Sequence, residues 1–455
     1  MTEMLKNIFS REPYPEFSRN VFTDNRIYFI LAIIMYLAAL TFRSWENMLH
    51  PGLYMEDATH YFNQYYGGKR YLSFILQHPN GYYNILNNLV AWVTAKLDVR
   101  LHPLAYHIFC FSTGILTATC ILFSGLIRNR FMIIAAPIVL GLSGMNHIYY
   151  YNSLTFQMYN IVILLLCLLF YPAPQLPVSI FFMCAIAALL VWSGPYSVVA
   201  LPVSLLFLFF FNNRKKTILF IWVIICVIFY SLSVRENTIM LDNLLDENIR
   251  RTIVETIFEK IFFLELLGKM SSGKIFLFFL VLFSALYALR RNTFYLKTTI
   301  ILFSIIISAL APLFLSIKLP LYLSIFPCHI YISQFFWFLF ILITTDKLVD
   351  KIQPKPFLQY GILSLFVLFV IIDNLHHPAK GKEKIMKSIP AFVQTIHHVE
   401  QLDLEKKNQY AVVKTENVIP GTFPPMVWVG SLRQDAKRLT RKDIQIPSGK
   451  EFIVD

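Results

Sequence analysis

Charged residues are scarce in this chain: only 15% of its 455 residues are Asp, Glu, Lys or Arg, and 27 are acidic. Soluble domains carry about 25% charge, so a solvent-covered globule is excluded. Nucleotide and cofactor fingerprints are missing as well. No Walker A, GxSxG, HExxH or dinucleotide-binding glycine motif stands in a suitable context, which leaves an ATP-driven machine or a soluble-cofactor enzyme without support. The six cysteines (Cys110, Cys120, Cys167, Cys184, Cys226 and Cys328) fall in or beside apolar segments without CxxC spacing. They form neither a disulfide framework nor a zinc site, and are expected as buried thiols. Internal repeats and low-complexity tracts are lacking too.

What the chain has is apolar bulk: 56% hydrophobic residues, 42 Phe and a mean hydropathy of +0.57. Long apolar runs separated by short charged clusters predict an all-α integral membrane protein, a polytopic helical bundle rather than a barrel. The net charge of +13 sits in those clusters and in the C-terminal tail, so the lipid bilayer, and no nucleic acid, is the expected partner of the basic residues.

About eleven spans follow from the runs. They cover residues 27–42, 102–127, 131–145, 156–171, 177–192, 196–211, 217–234, 275–289 and 298–315, then a tenth ending near 345 and an eleventh at 357–372. The fifth and sixth are hinged at Ser193-Gly194-Pro195. The first is long enough to stay as an anchor rather than be cleaved as a signal. Residues 82–97 are apolar but carry Asn84, Asn87 and Asn88, which predicts an interfacial or re-entrant helix that does not span. The basic clusters Arg128/Arg130, Arg214/Lys215/Lys216, Arg290/Arg291/Lys297 and Lys347/Lys351/Lys355 then fall on one side, as the positive-inside rule requires. The N-terminus is expected to be cytoplasmic. The loops 44–102 and 235–273, the second with an amphipathic surface helix, are expected to be external. So is the tail 376–455, a small α+β appendage with a helix near 389–402 and strands at 410–413 and 426–429.

The chemistry-bearing residues concentrate outside. Glu56 and Asp57 are adjacent, so on a helix they point about 100° apart and cannot form a face-to-face dyad. One can serve as a general base in a partly desolvated cavity; equally, the pair can cap a helix or form surface ion pairs. With His60, one turn on, they could supply half of a site for a divalent metal, but no partner motif completes it and no cofactor is assigned. Lys69, Arg70, Lys269, Lys274 and Lys318 are suited to gripping a phosphate at headgroup level, or to ordinary interfacial snorkelling. Asn146, His147, Tyr149, Tyr150, Tyr151, Asn152 and Gln157 join rings and amides in the manner of a sugar site. An interfacial aromatic belt explains the tyrosines but not the amides. His329 and Tyr331 interrupt an apolar run and are functional suspects on that ground.

Trp45, His50-Pro51, Glu56-Asp57, Phe62, Gly81-Tyr82-Tyr83 and the stretch from Asn87 to Ala91 follow one pattern. It resembles the first external loop of bacterial multi-pass glycosyltransferases of the GT-C superfamily, in a branch with W-x-x-x-L-x-P, E-D and G-Y motifs. Asn152 to Gln157, Ser193-Gly194-Pro195 and Ile419-Pro420 resemble further elements of that branch. Departures are Ala58 in place of Gly after the E-D pair, and His329-Ile330-Tyr331 in place of an Arg-Tyr-Phe-like motif. The resemblance implies a bacterial inner-membrane enzyme with a polyprenyl-phosphate-linked sugar as donor and a glycan or lipid of the cell envelope as acceptor. Transfer would occur on the periplasmic face, with Asp57 as base and Glu56 as its close alternate. His60, Lys69, Arg70, Tyr82, Asn87, Tyr150, Asn152, Gln157, Lys269, Lys318, His329 and Tyr331 would contact substrate. A transporter or flippase of lipid-linked saccharide, or an inactive scaffold of the same fold, would use the same cavity without reaction.

Overall fold

A computed structural model describes residues 9–14, 19–49, 61, 75–76, 82–97, 101–142, 153–154, 156–174, 176–234, 292–314, 330–351, 412–415 and 426–429, with isolated positions between 247 and 364. The chain is mostly helical. Among the described residues its helices are α1 (Arg19–Leu49), α2 (Ile85–Thr94), α3 (His102–Phe123), α4 (Arg130–Leu142), α5 (Gln157–Phe170), α6 (Pro177–Val191), α7 (Ala200–Phe210), α8 (Arg214–Ser233), α9 (Thr293–Phe314) and α10 (Tyr331–Lys351). A tight helical turn, Pro195–Val199, leads into α7 at the expected hinge. Apart from isolated positions, the expected span at 357–372, the surface helix in 235–273 and the tail helix near 389–402 lie outside the described residues.

Among the described residues, five segments are long and apolar enough to cross a membrane: Asn25–Phe42, His102–Phe123, Arg214–Ser233, Thr293–Ala311 and Tyr331–Val349. α2 is not among them. Its ten residues rise about 15 Å, half of a ~30 Å hydrocarbon core. The exposed surface is that of a multi-pass membrane protein. Phe181 and Val178 on α6, and Phe229 and Leu232 on α8, are all more than half exposed, an outward apolar face that belongs against lipid rather than water.

The chain divides into two compact units, the first being Met1–Leu40, Gly114–Met145 and Tyr159–His377, and the second Thr41–Thr113, Asn146–Met158 and Pro378–Asp455. In the first, α9 packs on α10 and on α7, α8 on α6 and α7, and α10 on α4. Aromatic rings fill the α9–α10 seam: Phe303 meets Trp337 and Phe340 edge-on at 6.2 and 5.2 Å. The Ser333 hydroxyl donates across the same seam to the Ile306 carbonyl at 2.9 Å.

At one end of this unit the basic turns interlock. Asn129 accepts from the Phe131 and Met132 amides, and Asn213 from those of Lys215 and Lys216, so each asparagine caps the helix that follows it. The Arg128 and Asn129 amides donate to Asp346 Oδ1 at 3.1 and 2.9 Å, and Lys347 pairs with Asp346 Oδ2 at 2.9 Å while lying 4.5 Å over the Tyr295 ring. Lys297 reaches Glu12 at 3.1 Å and the Ser10 carbonyl at 2.6 Å. Buried Lys216 donates to the Leu169 and Tyr171 carbonyls at 2.8 and 2.7 Å, so a cation closes the C-terminal end of α5.

The N-terminal segment joins this end. β1 (Glu12–Pro13) pairs in parallel with β2 (Phe211–Asn212), Glu12 opposite Phe211. Tyr14 is buried, packs edge-on against Phe207 and Phe211, and donates its hydroxyl to the Phe170 carbonyl at 2.7 Å. Burial pushes its phenol pKa upward, which keeps it a neutral donor.

In the tail, β3 (Val412–Thr415) and β4 (Met426–Val429) form an antiparallel pair with Val412 opposite Val429. The strands lie at or within two residues of their expected positions. Cys110, Cys120, Cys167 and Cys226 are buried free thiols, and Cys184 is half-buried.

Candidate functional site

The second unit holds a polar knot built around α2. This helix is inverted relative to a helix in water. Asn87, Asn88, Ala91 and Thr94, at helical spacing, face inward, whereas Val93 is half exposed. A small and amide-rich face turned inward, with apolar side chains outward, suits a helix at a membrane boundary, where the polar groups must find partners inside the protein.

Each inward amide is spent on a different stretch of chain. Asn84 Nδ2 donates to the Tyr61 hydroxyl at 2.9 Å, Asn87 Nδ2 to the Leu154 carbonyl at 2.7 Å, and Asn88 Nδ2 to the Ile75 carbonyl at 3.0 Å. Helix α3 contributes its first turns. The Thr113 hydroxyl lies 2.7 Å from Gln157 Oε1 and 2.8 Å from the Cys110 carbonyl; its single proton serves one acceptor at a time. The Cys110 thiol donates to the Ser153 carbonyl at 3.6 Å, and Tyr82 Oη reaches Met158 Sδ at 3.7 Å. Residues 82–88, 110–113, 153–154 and 156–158 are thereby tied into one hydrogen-bonded body.

Among the described residues, Asn84 Oδ1 and Asn87 Oδ1 have no hydrogen-bond partner, on residues with no exposed surface. His107, on α3 in the same unit, is likewise buried with Nε2 unbonded, its ring edge-on to Phe111 at 4.6 Å.

Of the residues singled out from the sequence, Tyr82, Asn87 and Gln157 belong to this knot. Tyr331 opens α10 in the first unit, buried and edge-on to Phe335 at 6.5 Å. Glu56, Asp57, His60, Lys69, Arg70, Tyr150, Asn152, Lys269, Lys318 and His329 lie outside the described residues, as do Asn146, His147, Tyr149, Tyr151 and Lys274. Among the described residues no group of His, Cys, Asp or Glu is placed to hold a metal.

Tyr61, Thr113 and His107 were not singled out in advance. A lone tyrosine or threonine carries no local signal, because its partner is distant in sequence. His107 does carry one, as an ionisable side chain within an apolar run. No protein-family model, curated protein or solved structure matches this chain.

Proposed function

We propose that the protein is a membrane glycosyltransferase of GT-C type, with about eleven spans, which moves a sugar from a polyprenyl-phosphate donor to a cell-envelope acceptor. In this reading residues 1–375 form the membrane domain and 376–455 a periplasmic appendage, with the N-terminus in the cytoplasm of a bacterial inner membrane. The observation that supports it best is the 2.7 Å bond from Asn87 to the Leu154 carbonyl. It joins the first-loop helix to Leu154, within the 152–157 stretch that also carries the resemblance. Asn87, Leu154 and Gln157 belong to a buried, amide-lined body of the kind that saccharides require.

The chemistry assigns roles as follows. Asp57 accepts the proton of the acceptor hydroxyl as that oxygen attacks the anomeric carbon. The bond from that carbon to the phosphate oxygen breaks, and its electron pair leaves with the polyprenyl phosphate. Lys69, Arg70, Lys269 and Lys318 are the candidate cations for the departing phosphate, whose negative charge needs a fixed counter-charge in a poorly hydrated site. Glu56 orients Asp57 rather than sharing its work.

The test is sugar transfer in membranes supplied with labelled polyprenyl-phosphate sugar. Loss of a general base costs about 10²- to 10⁴-fold in rate, so Asp57→Asn should fall by that order and Glu56→Gln by less. A transfer rate unchanged in Asp57→Asn would remove the base from the mechanism.

A further inference from the structure

At the interlocked end of the first unit, lysines and arginines part ways. Lys215 donates to the Pro174 carbonyl at 2.8 Å, Lys216 to those of Leu169 and Tyr171, and Lys297 and Lys347 pair with Glu12 and Asp346. Arg26, Arg128, Arg130 and Arg214 are exposed. Among the described residues no carboxylate pairs with their guanidinium groups: Asp346 takes the backbone amide of Arg128, and Glu12 is taken by Lys297. The cations that fasten this end are thus lysines, and those offered outward are arginines.

Three of these arginines belong to one place. Arg130, at the start of α4, donates from Nε to Asn25 Oδ1 at 3.3 Å and lies 5.3 Å from the centre of the Tyr28 ring. It is thereby held against the stretch of α1 that carries Arg26. Arg128 lies in the turn just before α4, with its Nε on the Gly125 carbonyl at 3.3 Å. Each of the two spends one N–H on a neutral oxygen, and the rest of the fork, which is the part that matches a phosphate, stays available.

An outward apolar stripe begins beside this cluster. Asn25–Phe42 is a membrane-crossing segment, and Ile27, Ile30, Leu31 and Ile34 are exposed on it at the spacing of one helix face. The opposite face is committed to the protein: Phe29 stacks on Phe123 at 5.2 Å, and Tyr36 lies close against Gly141. Exposed arginines at headgroup level, next to an apolar stripe that runs into the bilayer, match the two halves of a phospholipid. A zwitterionic headgroup would set its own ammonium against the guanidinium groups, so the charge favours an anionic one.

We infer that Arg26, Arg128 and Arg130 form a docking site for an anionic phospholipid, with its phosphate on the guanidinium groups and an acyl chain along Ile27, Ile30 and Ile34. The inference rests on the membrane placement of α1 and is independent of the glycosyltransferase reading. General attraction to a membrane surface needs only charge at this level. The site needs these particular arginines.

The experiment uses the full chain in neutral detergent, titrated with phosphatidylglycerol or with phosphatidylcholine of the same acyl chains, and reads the lipid-bound fraction by native mass spectrometry. Phosphatidylglycerol should bind about tenfold more tightly than phosphatidylcholine, and Arg128→Gln/Arg130→Gln should remove about tenfold of its affinity. Arg11→Gln/Arg214→Gln, which takes the same charge from the same end, should leave that affinity nearly unchanged. Unfolding temperature reports the fold of each variant. Should loss of the Asn25 contact unfold the first pair, Arg26→Gln/Arg128→Gln carries the test. An equal fall in both kinds of variant would show that net charge alone is read, and would overturn the inference. So would equal binding of the two lipids, or displacement of the lipid by excess free glycerol phosphate, which would mark a phosphate site without an acyl-chain seat.

Discussion

Asp346 shows how much one enclosed carboxylate can hold. Its side chain has no exposed surface, one oxygen receives two backbone amides from the turn before α4, and the other faces Lys347. Removing one side of a buried charge pair costs about 3–5 kcal/mol because the remaining groups are left without partners. Asp346→Ala should lower thermal stability in detergent by that order. Asp346→Asn, which keeps an oxygen acceptor, should lose less. Two variants as stable as the parent would show that the turn stands without it. Residue-level legibility follows the same logic. Asn87 and Gln157 could be read from the sequence because an amide within an apolar run needs a partner. The partners themselves, Leu154 for one and Thr113 for the other, could not, since nothing local encodes a bond across 67 or 44 residues. Asn84 fell between the two: visible as an amide, but not as one that forgoes its cap.

Among the described residues helix existence was legible and helix ends were not. The apolar runs mark the length that sits in lipid, whereas capping and turn chemistry decide where helical geometry begins. α8 starts at Arg214 rather than 217 because Asn213 caps it inside the basic turn, and α9 starts at Thr293 rather than 298, with the Asn292 side chain accepting from the Tyr295 amide. α1 likewise runs from Arg19 to Leu49, well past the apolar stretch 27–42. Close packing between helices leaves a faint mark: Gly141 on α4 looks ordinary in the sequence, yet a Cβ there would sit 3.1 Å from Tyr36 and 3.2 Å from Ala39 on α1. Gly141→Ala should therefore cost on the order of 1 kcal/mol, and Gly141→Leu about 3 kcal/mol or more, by overpacking the α1–α4 contact. Unfolding temperature in detergent would read both. A Leu variant with the parent's stability would mean that the two helices can part freely.

At the scale of the whole molecule, the apolar fraction made a multi-pass membrane protein legible, and spacing of the basic clusters made a common side for them an expectation. Arg128 and Arg214 are exposed at turns that meet Asp346 and Asn213, within the same interlocked end. Arg128→Cys and Arg214→Cys should be shielded from an impermeant thiol reagent in intact cells and labelled in inverted vesicles, whereas a cysteine placed after residue 375 should show the opposite pattern. Labelling of the first two from outside would reverse the proposed orientation. The N-terminal segment was not legible, because it has no apolar run and its few rings, Phe9, Tyr14 and Phe17, stand apart. Its seat has a consequence for biosynthesis. Ser10 leaves the ribosome first, but the Lys297 ammonium that its carbonyl accepts from lies 287 residues later. At roughly 5–20 residues per second that delay is on the order of 15–60 s. The segment's Tyr14 and β1 partners come from α5 to β2 and can seat it earlier, but the Lys297 latch closes only after every helix from α1 to α8 has been made.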